Sequence, residues 1–221
     1  STSSTKINLN YFDYDYHGII GGFVGGNSKN IKHSSSYIEF NHSITENYPY
    51  YNIGHIAGGF VGTNWNRTIS DCYSTGVGNG CSGFAAVSTG DILNSYSAVR
   101  GTSYGFINSL HTMKDYPNNT ANCFWDKSVS GQDVGIGYVY IDYEEEGDSS
   151  QFSILGLTTS EMYQQINFNS WDFVNTWKID EGKAYPVLRV ANSHIPPTPT
   201  PDPEPTPTPD PDPTPTPDPD P

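Results

Sequence analysis

The stretch "AGGFVGTNWNRTISDCYSTG" occupies residues 57–76, and three related stretches occur elsewhere in the chain. Each begins with a Gly-Phe pair, and the pairs are 37, 24 and 22 residues apart. The pairs are Gly22-Phe23, Gly59-Phe60, Gly83-Phe84 and Gly105-Phe106. A unit of this length is too short to enclose its own core, so we predict that the units stack with their apolar residues in columns. Neighbouring residues of a column then lie about 4.8 Å apart.

The second half of each unit supports the same alignment. An apolar position lies some eight to ten residues after most of the Gly-Phe pairs, and an aromatic or serine position follows it. The aligned sets are Ile31, Ile69, Ile92 and Ala121, then Ser35, Tyr73, Tyr96 and Phe124, with Cys72, Ser95 and Cys123 also in register. We therefore predict an all-β fold, a parallel β-helix or β-solenoid with glycines at its corners. An antiparallel sandwich of short strands is the alternative.

The stretch at residues 57–76 resembles the GLUG-motif repeats of bacterial and archaeal cell-surface and adhesin-like proteins. The resemblance covers residues 20–137 and is closest in "GGFVGTNWNRTISDCYSTG". The third unit departs from the pattern at Ser82 and at Ala85-Ala86, the fourth keeps only Gly105-Phe106 and "NCFWD", and the first carries an insertion over 37–55. The resemblance implies extracellular display at a cell surface, and it implies no single reaction.

The chain divides into four segments. Residues 1–20 form an N-terminal strand or entry segment, 21–137 the repeats, 138–192 a C-terminal capping segment and 193–221 a stalk. The capping segment resembles the usual end of such arrays. Thr158-x-x-Glu161 is a capping box that predicts a short helix over 159–167. We expect Trp171, Phe173, Trp177 and Leu188 to cover the last repeat, because an open end exposes strand edges.

The tail is rich in proline and contains three octads of the form TPTPDP[D/E]P. Residues 196–221 hold 14 of the 17 prolines and have no apolar side chain to bury other than proline. Polyproline II is the favoured conformation, in which residues 196–221 reach roughly 80 Å. A solvated linker is one interpretation, and a stalk or assembly element that packs on other copies is another.

The net charge of −14 argues against a nucleic-acid partner, whose phosphates it would repel. The sequence has no apolar run near 18 residues, so we predict no membrane span. The first ten residues contain neither a Met nor an apolar signal core, and we expect that a leader has been removed. No residue pattern indicates a catalytic site, a metal site or a cofactor, and the acidic run over 142–148 lacks the spacing of a calcium loop.

Three groups of residues are candidates for modification or binding. The sequons at Asn41, Asn66 and Asn118 predict N-glycosylation at exposed turns or in the insertion. Cys72 and Cys81 are the one pair that we entertain as a disulfide, since Cys72 and Cys123 stack two repeats apart. We predict an aromatic binding patch from three tyrosines of the insertion and one outward tryptophan: Tyr48, Tyr50, Tyr51 and Trp65.

These observations favour a non-enzymatic, extracellular structural or adhesive protein at a cell surface, self-associating or binding extracellular glycan or protein partners. Assembly into a filament or sheath is suggested by the N-terminal stretch "INLNYFDYDYH", which alternates along its length and has no evident cap. A glycan- or protein-binding module of a larger adhesin is the alternative. A carbohydrate-active β-helix enzyme is less favoured, because no acids cluster at matching positions of the repeats.

Overall fold

The computed structural model describes residues 1–9, 19–42, 57–115, 117–142 and 145–189. Within these ranges the chain is mostly β-strand, with a few short helices, and its two large sheets are built almost entirely from parallel pairs. The predicted all-β class is confirmed, and the alternative prediction of an antiparallel sandwich is wrong because the strands of the large sheets pair in parallel. The proline-rich tail and most of the insertion in the first repeat lie outside the described residues.

The strands in chain order are β1 (Thr2–Leu9), β2 (Ile20–Gly21), β3 (Val24–Asn27), β4 (Ile31–His42), β5 (Ala57–Gly58), β6 (Val61–Asn64), β7 (Ile69–Gly78), β8 (Ala85–Ser88), β9 (Ile92–Leu93), β10 (Tyr96–Arg100), β11 (Ile107–Thr112), β12 (Cys123–Asp126), β13 (Ile136–Ile141), β14 (Glu145–Glu146), β15 (Ile154–Leu157), β16 (Trp177–Lys178) and β17 (Val187–Leu188). The helices are α1 (Lys127–Ser130) and α2 (Thr159–Met162), and 3-10 turns cover Ser149–Gln151 and Gln165–Asn167.

The chain alternates between the two large sheets. The first sheet has the order β1-β4-β7-β10-β12-β15, with β9 beside β7, and the second has the order β14-β13-β11-β8-β6-β3. Each repeat adds one strand to the second sheet and then one to the first, and the strand of the first sheet is the longer one in the first three repeats. The predicted end of the repeats at residue 137 falls inside β13, and parallel pairing continues to β15.

The register of the first sheet confirms the alignment of the repeats. Tyr73 pairs with Ser35 on one side and with Tyr96 on the other, and Tyr96 pairs in turn with Phe124. Ile31, Ile69 and Ile92 also pair in sequence, whereas Ala121 pairs with Leu93 and is displaced by one residue from the prediction. Successive side chains of a strand face opposite sides, so each column points consistently into or out of the sheet.

The phenylalanines of the Gly-Phe pairs form a stacked column in a core shared by both sheets. Phe23 lies 5.0 Å from Phe60, Phe60 lies 4.9 Å from Phe84, and Phe84 lies 4.8 Å from Phe106, measured between ring centroids. Phe60, Phe84 and Phe106 are fully buried. These spacings match the distance between neighbouring strands, which confirms the predicted columns.

The glycine before three of the four phenylalanines is required by close backbone approach, and Gly105 is required by the Trp125 ring. A Cβ built on Gly59 would overlap the carbonyl oxygen of Gly83, one repeat further along. That carbonyl also accepts a 2.7 Å hydrogen bond from the Ser74 hydroxyl, and the Gly59 carbonyl accepts an equivalent bond from Ser36. A glycine and a serine therefore act together at two of the corners, Gly59 with Ser36 and Gly83 with Ser74.

A second column has left-handed backbone conformation. His33, Asp71, Asn94 and Asn122 have φ angles of 50°, 54°, 46° and 54°. Each residue precedes one member of the Ser34–Cys72–Ser95–Cys123 column, so the same bend recurs in four layers. Asn and Asp tolerate this conformation better than most residues with a Cβ, which explains the Asn or Asp before Cys or Ser in three repeats.

The capping box at α2 is confirmed, but the helix is shorter than predicted. Thr158 Oγ1 accepts a hydrogen bond from the Glu161 amide, and the Glu161 carboxylate accepts one from the Thr158 amide. The α-helix ends at Met162 rather than at 167. The Glu161 carbonyl accepts from the Gln164 amide and from Asn167 Nδ2, which replaces the bond that would continue the helix.

The C-terminal segment (158–189) covers more of the fold than predicted. Trp171 and Trp177 pack with Tyr73, Tyr96 and Phe124 on the outer face of three strands of the first sheet. The Tyr96 hydroxyl donates to the Pro186 carbonyl at 3.0 Å. The segment therefore lies along the flank of the repeats and does not only cover the last one. Among the described residues, no helix has the length and apolar character needed to cross a membrane.

Candidate functional site

The predicted aromatic patch is described only at Trp65, because Tyr48, Tyr50 and Tyr51 lie outside the described residues. Trp65 is 51% exposed in the turn between β6 and β7. The next residue, Asn66, is also exposed and has a left-handed φ of 47°. The turn therefore presents a large apolar ring to solvent, as predicted.

A buried amide ladder holds this turn, and the sequence analysis missed it. Asn64 is fully buried; its Oδ1 accepts from Asn27 Nδ2 at 2.8 Å, and its Nδ2 donates to the Arg67 carbonyl at 2.7 Å and to Ser88 Oγ at 3.2 Å. Arg67 Nε donates in turn to the Ser28 carbonyl at 2.9 Å. Asn27, Asn64 and Ser88 each follow a repeat phenylalanine by four residues, so the period contained the signal.

The three sequons have different environments. Asn66 is exposed, and its predicted accessibility is confirmed. The side chain of Asn41 lies outside the part of the chain whose side chains are described. The predicted exposure of Asn118 is wrong: its side chain is only 8% exposed, and its Nδ2 donates to the Gly90 carbonyl at 3.0 Å. Thr120 of the same sequon is buried, and its hydroxyl accepts from the Ile92 amide.

The predicted Cys72–Cys81 disulfide is absent, since all three cysteines are free thiols. Cys72 and Cys123 belong to the core between the sheets, whereas Cys81 packs in a separate cluster with Ile38 and Val99. Burial raises the pKa of the Cys72 and Cys123 thiols well above their usual range and that of Cys81 to about 12. These thiols act as small apolar side chains.

Asp71 and Asp91, two aspartates of neighbouring repeats, have different surroundings. The described residues contain no group of three or more His, Cys, Asp or Glu side chains that would hold a metal ion. Asp71 belongs to the left-handed column, with its Oδ2 3.9 Å from His33 Nε2, whereas Asp91 Oδ1 accepts from the Asn119 amide at 2.8 Å. The two aspartates therefore occupy different offsets in their repeats, as predicted.

Asp126 is a fully buried carboxylate that attaches the C-terminal segment to the sheet. It accepts hydrogen bonds from the Tyr185 hydroxyl and the Thr159 hydroxyl, both at 2.7 Å, and from the Val129 amide at 3.0 Å. Burial, together with the Asp126 carboxylate, raises the pKa of Tyr185 well above its usual range. Both carboxylate oxygens are bonded and inaccessible, which suits a structural role.

Two further aromatic surfaces were not predicted. One is the tyrosine strip on the second sheet (Tyr104, Tyr138, Tyr140 and His111), in which His111 stacks on Tyr140 at 4.8 Å. Tyr138 is its most exposed member at 38%. Its residues come from β11, β13 and the turn before β11, which the sequence alignment did not place side by side.

The other is the cap groove, an open depression of about 410 Å³ in the C-terminal segment. Phe168, Trp171 and Phe173 line it on the apolar side, with Ile166 73% exposed beside them. Gln165, Asn169 and Glu181 provide polar groups. The sequence predicts a capping role for Trp171 and Phe173, and nothing in their spacing distinguishes a covered ring from one that lines a groove.

The comparisons with known proteins give no assignment. The chain matches no protein-family model, and searches of curated proteins and of solved structures find no match either.

Proposed function

We propose that the chain is a non-enzymatic, extracellular β-solenoid module of the GLUG-repeat type, displayed at a cell surface on its proline-rich stalk. Its role is structural or adhesive, and self-association into a surface filament or sheath is part of the proposal. The proposal draws on the sequence resemblance, the parallel pairing of every repeat and the long acidic, proline-rich tail.

One observation carries the proposal: the residues that recur are those that the columns use. The Phe and Ile positions fill the core, the Gly and Ser positions fix the corners, and the Tyr position packs under the C-terminal segment. The recurring residues therefore serve the packing of the repeats, which supports a structural role over a catalytic one. This division is typical of repeat proteins, in which partner contacts come from the residues that vary.

Self-association has a structural route at the edge of the first sheet. β1 is the terminal strand of that sheet and pairs through its backbone with β4 alone among the described strands. An edge strand of eight residues can pair with the edge of another copy. Light scattering and electron microscopy of the full chain are expected to give concentration-dependent assemblies.

A double proline variant tests this route. Thr5→Pro combined with Lys6→Pro removes donors on both sides of β1 and is expected to lower the assembled mass. A strictly monomeric wild-type chain at all concentrations contradicts the assembly. An assembled mass that the prolines leave unchanged assigns it to another surface. Release of sugar products from a panel of polysaccharides would contradict the non-enzymatic assignment.

A glycan-binding module is the second candidate, favoured by the exposed ring of Trp65. Aromatic rings that project into solvent suit contact with sugar faces. Trp65→Ala and the pair Tyr50→Ala and Tyr51→Ala are expected to abolish retention on a polysaccharide that the wild type binds. Val174→Ala, at another highly exposed apolar residue, is the matched control. No binding across a broad glycan array would remove this candidate.

A further inference from the structure

The described chain ends beside the cap groove. Arg189 is the last described residue, and its guanidinium donates to the Phe173 carbonyl at 2.8 Å. Its amide donates to the Thr176 carbonyl, which holds the chain end against the 172–176 turn. Phe173 lines the groove. The described chain therefore ends next to this groove, whose accessible apolar side chains are Phe173 and Ile166, with the buried rings of Phe168 and Trp171 behind them.

The first part of the tail has the composition that such grooves bind. Residues 190–201 read "VANSHIPPTPTP" and contain no Asp, Glu, Lys or Arg. Proline-rich segments favour polyproline II, whose backbone carbonyls make no internal hydrogen bonds and dock on aromatic-lined grooves. In the cap groove, Gln165 and Asn169 offer side-chain amide donors beside the aromatic rings.

Charge selects which part of the tail fits. Glu181 lies at the groove, and its Oε1 accepts from the Gln165 amide at 3.0 Å. This carboxylate repels the acidic octads, whose first acid is Asp202, and leaves the uncharged stretch before them as the compatible one. Ile195 is also the last aliphatic side chain before the octads.

The reach of the chain favours the tail of the same molecule over that of another copy. Residues 190–194 span up to about 17 Å when extended, enough to bring Ile195 from Arg189 into a groove that Arg189 already borders. A connection this short gives an effective concentration in the millimolar range, which a second copy does not reach in dilute solution.

We propose that residues 195–199 dock in the cap groove of their own chain and fix the direction in which the stalk leaves the module. This inference rests on the proposed role of the tail as a stalk. The test of docking measures contacts within one chain. Docking can therefore be refuted while surface display and assembly are confirmed, and it can be confirmed while they are refuted.

The test compares equivalent threonines of the three octads by NMR of the full chain. Thr198, Thr206 and Thr214 open three octads that differ at one position only, which is Glu204 in the first and Asp in the other two. Docking predicts a higher heteronuclear NOE at Thr198 than at Thr214. Substituting Pro196, Pro197 and Pro199 by Ser is expected to abolish that difference and to shift the side-chain amide signals of Gln165 and Asn169.

Two matched variants complete the design. Substituting Pro215, Pro217 and Pro219 by Ser makes the same change at the far end of the tail. This variant is expected to leave the Thr198 heteronuclear NOE and the side-chain amide signals of Gln165 and Asn169 unaltered. Ile166→Asp places a charge at an exposed groove position without disturbing the core and is expected to release Thr198. The peptide SHIPPTPTP, added to the near-tail variant, is expected to restore the groove shifts.

Three outcomes would overturn the proposal. If Thr198 and Thr214 have equal heteronuclear NOE values in the wild type, docking is excluded. Groove signals that depend on protein concentration assign the groove to the tail of a second copy. Groove shifts caused by neutral oligosaccharides, with no response to the near-tail prolines, assign it to a glycan instead.

Discussion

Phe84 stands in the middle of the phenylalanine column, and its replacement by Ala tests whether the column carries the stability of the repeats. Its side chain is fully buried between Phe60 and Phe106, with ring centroids 4.9 and 4.8 Å away. Truncation of a buried Phe costs about 3–5 kcal/mol. Two ring contacts, each of about 0.5–1.5 kcal/mol, place this site in the upper half of that range.

The matched control is Phe23→Ala at the end of the column. Phe23 is partly exposed and has a single ring contact in the column, with Phe60 at 5.0 Å. We expect a loss of about 1–2 kcal/mol there, because less apolar surface returns to water. Urea titration followed by tryptophan fluorescence measures both losses in free energy of unfolding. At about 2–4 °C per kcal/mol, Phe84→Ala lowers the Tm by roughly 8–20 °C.

Equal losses for the two variants would refute the stacking argument. So would a loss below about 1.5 kcal/mol at Phe84, because a fully buried ring with two stacked neighbours cannot be removed so easily from a close-packed core. The double variant Phe60→Ala with Phe84→Ala is expected to lose less than the sum of its single variants, since the two rings share a contact.

Three further predictions test the corners and the C-terminal segment. Because φ is positive at Asn94, we expect Asn94→Ala to lower the free energy of unfolding by about 1 kcal/mol and Asn94→Gly by about half of that or less. Urea titration measures both losses, and a larger loss for Gly than for Ala would contradict the prediction. Thr158→Ala is expected to cost about 1 kcal/mol and to speed hydrogen exchange at the Glu161 amide. Because the pKa of Tyr185 is raised in the folded state, its contribution to the free energy of unfolding is fully present below about pH 10, the ordinary pKa of tyrosine, and decreases as the pH rises above that value. Tyr185→Phe should flatten this dependence in melts at pH 9, 10 and 11, and an unchanged slope would count against it.

The repeated part of the fold was predictable because stacking copies one register from layer to layer. Phe60 aligns with Phe84, and Tyr73 aligns with Tyr96 once the turn of the third repeat is taken as one residue shorter; the structure has both pairings. The period of the repeat therefore predicts which residues of neighbouring strands pair, even before the packing of their side chains is known. The one slip, at Ala121, occurs in the fourth repeat, where little of the motif remains to define the register.

The parts outside the repeat were not predictable in this way. Tyr73 and Tyr96 face outwards, and the sequence contains no sign that Trp171 and Trp177 return to cover them. Contacts between residues some 100 positions apart depend on where a non-repeating segment folds back. The burial of Asn118 has the same origin, because its side chain bonds to Gly90 in the preceding repeat instead of projecting from a turn.

The position of the C-terminal segment also decides which surfaces remain for partners. It closes the outer face of the first sheet over β7, β10 and β12, so Tyr73 and Tyr96 are buried under it and pack in the second core cluster. The aromatic residues that remain accessible lie elsewhere, at the Trp65 turn, on the tyrosine strip and, in the cap groove, at Phe173. Substitution of Tyr138 or Trp65 therefore reports on binding with little change in stability, whereas substitution of Tyr96 changes stability first.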